Sequence, residues 1–122
     1  MPVLLRLHQS LFVTILAVVM STALTAPAEA HYGPTRWDCL AHYESTHRWH
    51  VSSGNGHYGG LQFSLSTWRY YGGPNYSGNI YPHRATRAEQ IVIAKRTAWR
   101  GWRNRAPQGG SSAWPNTWPK CR

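Results

Sequence analysis

The sequence predicts an α+β domain, mainly helical, with one short β-hairpin between helices. Three observations point there. A capping signal opens an amphipathic stretch at Thr35, and a second one opens at Thr86. Between them lies a glycine-rich segment with turn chemistry and only a short strand-like run. The chain has 122 residues, enough for one domain and not for two.

The first 30 residues are expected to lie outside that domain. Arg6 precedes an uncharged apolar run from Leu11 to Ala26, and Ala28-Glu29-Ala30 has the small-x-small form of a cleavage site. Residues 1–30 therefore read as a signal peptide and residues 31–122 as the exported domain. The alternative is an uncleaved membrane anchor, for which the run is short.

Thr35-Arg36-Trp37-Asp38 has the capping-box pattern with Asp in place of Glu or Gln. A helix is expected over 37–45, with Trp37, Leu40, Ala41 and Glu44 on one face. Cys39 and Tyr43 share the neighbouring face. Residues 52–56 are turn formers. The run from Tyr58 to Phe63 reads as the strand-like part. Ser64 or Ser66 can cap a short helix over 67–71, which Gly72-Gly73-Pro74 ends. Residues 74–85 read as a loop. Thr86-Arg87-Ala88-Glu89 is a regular capping box, opening a helix to about Arg100 with Ile91, Ala94 and Ala98 on one face. The tail from Gly101 has no periodicity. It is expected to wrap back over the fold with Trp114 and Trp118 as anchors.

Composition narrows the function. The net charge is +9, from 13 basic and 4 acidic residues. All 7 Trp and all 7 Tyr follow residue 30, so the cationic domain has the material for a core and is not a disordered basic tail. Export turns the charge away from nucleic acid and toward the anionic polymers of a cell wall. Plain solubility explains the charge equally well. The cysteines, Cys39 and Cys121, lie near the two ends of the domain and read as a disulfide in an exported chain. Two free thiols are the alternative. No metal is expected, since the histidines are scattered and neither HExxH nor CxxC occurs. No cofactor motif is present either.

The acids sort themselves. Glu29 leaves with the leader. Glu89 occupies the capping position of its helix, and Asp38 lies in a first helical turn, where negative charge suits the helix dipole. Glu44 has no such explanation. It lies at the helix C-terminus on a face shared with Trp37 and Leu40, where apolar surroundings and the dipole both favour a carboxyl that keeps its proton. That is the setting of a general acid. A surface Glu paired with an arginine is the alternative. A Ser/His/Asp scheme lacks a nucleophile elbow, and a cysteine nucleophile would cost the disulfide. Trp49, Tyr58 and Trp68 flank the glycine-rich segment and could stack on sugar rings or simply pack the core.

These residues resemble the catalytic domain of the resuscitation-promoting factors. The carriers are the segment from Trp37 to Glu44-Ser45, then Trp49, Gly54-Asn55-Gly56-His57-Tyr58-Gly59-Gly60-Leu61-Gln62-Phe63, Ser66-Thr67-Trp68, and Gly72-Gly73. The segments Ala85 to Ile91, Gly101-Trp102 and Ala113-Trp114-Pro115 up to Cys121 follow in the same order. The resemblance implies a small lysozyme-like fold and cleavage of the β-1,4 glycan backbone of peptidoglycan outside the cell. It also implies kinship with lytic transglycosylases, which use one carboxylate and close the muramyl sugar on its own 6-hydroxyl.

In that family the Glu of the Glu-Ser segment is the essential acid, which maps onto Glu44. The Thr of the Ser-Thr-Trp segment lies in the substrate groove, which maps onto Thr67. Gln62, Asn55, His57 and Tyr58 are further candidates for substrate contacts, with Trp49, Trp68 and Arg100. The expected partners are peptidoglycan strands and other cell-wall hydrolases; nucleic acid and stable membrane insertion are not expected, and a monomer is. The carboxylate count agrees. Asp38 precedes Glu44 by roughly 9 Å along one helix and points elsewhere, whereas two-acid glycosidases hold their pair about 5–9.5 Å apart across the bond.

The sequence also departs from the family pattern. Tyr43 stands where a Cys usually precedes the acid, with Cys39 one turn earlier. Thr46-His47-Arg48 replaces Gly-Gly-Asn, His57 replaces a Tyr, Arg100 replaces a Gln, and the segment around 103–112 is longer than usual. These changes make the cleft region more basic. They motivate the alternative of a cationic wall-binding or signalling protein with impaired catalysis. A membrane-active cationic protein is a third reading, resting on charge and Trp content alone.

Overall fold

The computed structural model describes residues 33–122, so the leader assigned to residues 1–30 lies outside the described residues. Helix α1 spans Arg36–Ser45, capped by the Thr35 hydroxyl on the Asp38 amide. The capping box is only half made. Asp38 does not reach back to the Thr35 amide; it accepts from the Thr35 hydroxyl at 2.6 Å and from Arg87. A carboxylate shorter than Glu by one methylene turns to the cation within reach instead.

Strands β1, His57–Tyr58, and β2, Phe63–Ser64, pair antiparallel as His57 with Ser64 and Tyr58 with Phe63. The run 58–63 is therefore a hairpin rather than one strand: Gly59 to Gln62 make its turn. Gly59 must be glycine. Its φ is +79°, and a Cβ there would meet the Gln90 side-chain oxygen at 2.4 Å. Gln90 is fully buried and binds three segments, accepting from the Gly60 amide and donating to the Trp49 and Ala85 carbonyls.

Helix α2, Leu65–Tyr70, uses Ser64 as its cap, one of the two expected. The expected loop after it holds a short helix α3, Gly73–Ser77, and a 3-10 turn, Pro82–Arg84. Helix α4, Arg87–Lys95, opens with the full Thr86/Glu89 capping box. It widens into a π turn, Arg96–Arg100, so the helical stretch ends where the sequence placed it but with a different pitch. The tail carries α5, Gly110–Ala113, and a 3-10 turn, Trp118–Lys120.

The core is aromatic. Trp37, Leu40, Leu61, Phe63, Trp68, Tyr71, Ile93 and Trp114 pack together, with Trp49, Trp102 and Trp118 against the cluster. Trp114 and Trp118 lie at 6.0 and 6.1 Å from Trp37, so the tail wraps along α1 as expected. Cys39 and Cys121 form the disulfide, with Cα atoms 5.7 Å apart. This is a small lysozyme-like α+β fold. Among the described residues, no helix is long and apolar enough to cross a membrane.

Candidate active site

The site is built where α1 stops. Thr46 and His47 both take left-handed backbone, φ 53° and 59°. Their amides close the helix end on the His42 and Ala41 carbonyls, each at 3.0 Å. The Thr46 bond is the one that closes an αL helix end, made here without the customary glycine. Glu44 therefore occupies the last turn, half-buried. The next residue fastens that turn to the hairpin: the buried Ser45 hydroxyl donates to the Gly60 carbonyl at 2.8 Å and accepts from the Arg48 amide at 3.1 Å.

Thr117 completes the carboxyl's surroundings. Its hydroxyl donates to Glu44 Oε1 at 2.7 Å, and its side chain is almost wholly buried. The tail delivers it: Trp114 and Trp118 on either side of Thr117 pack on Trp37, and Cys121 is bonded to Cys39. The other two described acids are engaged elsewhere. Asp38 is buried in an ion pair with Arg87. Burial alone would raise its proton affinity, but the Arg87 and Thr35 hydrogen bonds outweigh it and hold the carboxyl below its ordinary range. Glu89 Oε2 accepts from the Thr86 amide at 2.8 Å.

Beside the hairpin lies a hollow of about 240 Å³, walled by His57, Gln62, Ser64, Thr67, Gln108 and Trp114 among others. It continues into a second hollow of about 340 Å³, lined by Ser66, Thr67, Tyr70, Tyr71, Ala106 and Gln108. Thr67 and Gln108 belong to both, so the two form one groove. Trp114 ties the groove to the acid's end of the fold. It lines the first hollow, donates from its indole to the Leu61 carbonyl at 2.9 Å, and stands three residues before Thr117.

The structure thus gathers His57, Gln62 and Thr67 in one groove. Asn55 joins them at its rim, accepting from the His57 amide at 3.0 Å and facing the Gln62 side chain. The remaining candidates lie elsewhere. Tyr58 stacks on His83 with centroids 5.5 Å apart. Trp49 lines a separate hollow of about 490 Å³ with His47, Arg48, His50, Val51 and Arg87. Trp68 is fully buried, its indole donating to the Asn79 carbonyl and its ring filling the space a side chain at Gly73 would need. Of stacking or supporting, only support is open to it. Arg100 is exposed at the end of the π turn. Thr117, Gln108 and Ser45 were not legible as site residues, because neither the tail nor the helix terminus carries a period that would point them anywhere.

A family model described as a transglycosylase-like domain matches residues 33–121. The chain belongs to this family. Its relatives include resuscitation-promoting factor Rpf1 of Corynebacterium glutamicum, 39% identical over 83% of this chain and 45% of that protein. The resuscitation-promoting factor Rpf of Micrococcus luteus is 41% identical over 71% of this chain and 38% of its own length. Resuscitation-promoting factor RpfC of Mycobacterium tuberculosis is 38% identical over 80% of this chain and 61% of its own. The resemblance drawn from the Glu-Ser and glycine-rich segments therefore holds. The transglycosylase-like domain corresponds to about half the length of these relatives.

Proposed function

We propose that this transglycosylase-like domain is a secreted muralytic enzyme that cleaves the β-1,4 bond between N-acetylmuramic acid and N-acetylglucosamine, with Glu44 as its single catalytic carboxyl. The observation that carries the reading is the division of the acids. Asp38 is committed to Arg87 and Glu89 to a helix cap, whereas among the described residues Glu44 has one carboxyl oxygen bonded, by Thr117, and the other without a hydrogen bond.

With the Thr117 hydroxyl donating to Oε1, Oε2 is the oxygen left to carry the proton. Glu44 gives that proton to the glycosidic oxygen as the bond to the muramyl carbon breaks. The resulting carboxylate then takes a proton from the 6-hydroxyl of the same sugar, which closes the anhydro ring, or from water, which gives a reducing end. Thr117 is a positioning residue. Thr67, Gln62, Asn55 and His57 would hold the strand in the groove.

Glu44→Gln keeps the shape and the Thr117 contact but removes the acid. Turbidity loss of purified cell walls should fall by about 10²–10⁴-fold with an unchanged melting temperature. Wild-type lysis by that variant would refute the assignment. Mass spectrometry of the products then separates anhydro-muropeptides from reducing ends. A second reading, a wall-binding protein with impaired catalysis, is favoured by the open hollow of Trp49, which Arg48 borders away from Glu44 and the groove. It predicts retention on peptidoglycan with no released fragments from the wild-type chain.

A further inference from the structure

The second hollow ends at a cluster of arginines. After the π turn the chain makes a two-residue hairpin, with the Trp102 and Arg105 amides and carbonyls exchanging hydrogen bonds at 3.0 Å. Its first central residue is Arg103, at φ 54°, the position glycine normally takes in such a turn. The strained backbone brings the Arg103 guanidinium to 4.3 Å from the Trp102 ring centroid. Arg105 lies at 5.0 Å from the same ring and Arg96 at 5.5 Å. Trp102 itself is anchored, its ring lying where a side chain at Gly72 would have to go.

Three cations thus share one indole. Among the described residues the ion pair is Arg87 with Asp38, so the structure gives none of the three a carboxylate. The cluster adjoins the groove directly. Arg105 lies over Tyr70 at 4.9 Å and donates to its carbonyl at 2.8 Å, and Tyr70 and Ala106 line the hollow. Tyr70 and Tyr76 beside it are about half exposed. A strained cationic hairpin with planar donors and aromatic faces fits an oxyanion attached to a sugar or peptide chain.

We propose that Arg103 and Arg105, with Arg96 behind them on Trp102, form an oxyanion-binding site at the open end of the groove, which holds the anionic groups hanging from the wall polymer. This rests on the glycan reading above. The site takes carboxylates of the peptide stems or phosphodiesters of attached polymers, which share the same donor requirement.

Binding of the full, disulfide-bonded chain to purified sacculi tests it. All forms carry Glu44→Gln, so the polymer stays intact and the readout does not depend on whether Glu44 is the acid. Arg103→Gly should weaken binding about threefold, and with Arg105→Gln about tenfold, the difference shrinking as salt is raised. Arg103→Gly fits the turn better than arginine, so its melting temperature should not fall. Loss of the difference on carboxyl-amidated sacculi identifies the carboxylate. A difference seen only on sacculi that retain phosphodiester polymers identifies the phosphate. Unchanged binding overturns the proposal. So does an equal loss in the charge-matched Arg84→Gln/Arg122→Gln chain, or a loss confined to vesicles of anionic phospholipid. A wild-type chain that cleaves nothing, yet loses wall binding in the arginine variant, removes the enzymatic reading and leaves this one standing.

Discussion

Replacing Thr46 by glycine should make the protein more stable. The helix that carries Glu44 ends on Thr46 at φ 53°, ψ 46°, a left-handed conformation that is a true outlier for a β-branched residue. Left-handed backbone costs an L-residue about 1–2 kcal/mol. Thr46→Gly removes that strain. Against it stand the added freedom of glycine in the unfolded chain, about 0.4–1 kcal/mol, and the lost hydroxyl contact with the Ser45 carbonyl. That contact is local and part-buried, worth about 0.5 kcal/mol. The balance is a gain of about 0.5 kcal/mol, or a rise of roughly 2–4 °C in melting temperature for a domain of this size. His47→Gly relieves a second left-handed residue at φ 59° and should also melt above wild type; the two sites are neighbours on one helix end, so their gains are not expected to add. The assay is thermal unfolding with the disulfide intact. Thr46→Ala is the control, since it loses the hydroxyl and keeps the strain, and it should melt below wild type. If Thr46→Gly melts at or below the Thr46→Ala variant, the helix end is not strained and the reasoning fails.

Other outcomes follow from the same geometry. Thr117→Val removes the donor to Glu44 while keeping the buried volume. It should lower kcat about 10–100-fold with little change in KM, and Thr117→Ser should restore most of it; equal loss in both variants would point to packing instead. Replacing Cys39 and Cys121 by serine opens a loop with a sequence separation of 82 and should cost roughly 4–5 kcal/mol on the chain-entropy model, read as a fall in melting temperature. Asp38 titrates below its ordinary value in the folded chain, so its contribution is complete above about pH 4 and is lost as pH falls through that lower value. Arg87→Gln leaves the buried carboxyl with Thr35 alone, and acid unfolding followed by tryptophan fluorescence should then begin at higher pH. An unshifted acid transition would show that the ion pair adds nothing.

What the sequence disclosed follows from the range of the interactions involved. Thr35, Thr86 and Glu89 act within one helical turn, so their residue types revealed both helix starts. The core face of α1 was readable from Trp37, Leu40 and Ala41 for the same reason. Glu44 emerged by elimination among so few acids. Thr117 could not, because the hydrogen bond it makes spans 73 residues and depends on how the tail lies. Gln90 was hidden likewise: a polar residue in an amphipathic helix gives no sign that it serves Trp49, Gly60 and Ala85 at once. The strand-like run was misread because Leu61 and Phe63 are buried from a turn and a strand in succession, which imitates one short strand. The sequence leaves Tyr58 and Trp68 open between stacking on sugar and packing, a choice that depends on burial: Trp68 is sealed in the core, and Tyr58 stacks with His83.

The clip between Cys39 and Cys121 has a consequence for how such a unit is carried. It brings the last turn of the chain to within 5.7 Å, Cα to Cα, of the first helix. The polypeptide therefore enters and leaves the fold at one place. Flanking sequence attached at either end would join at that shared point and leave the groove beside the hairpin open. A unit with this layout behaves as a bead on a single knot, tethered to whatever adjoins it through one corner of its surface.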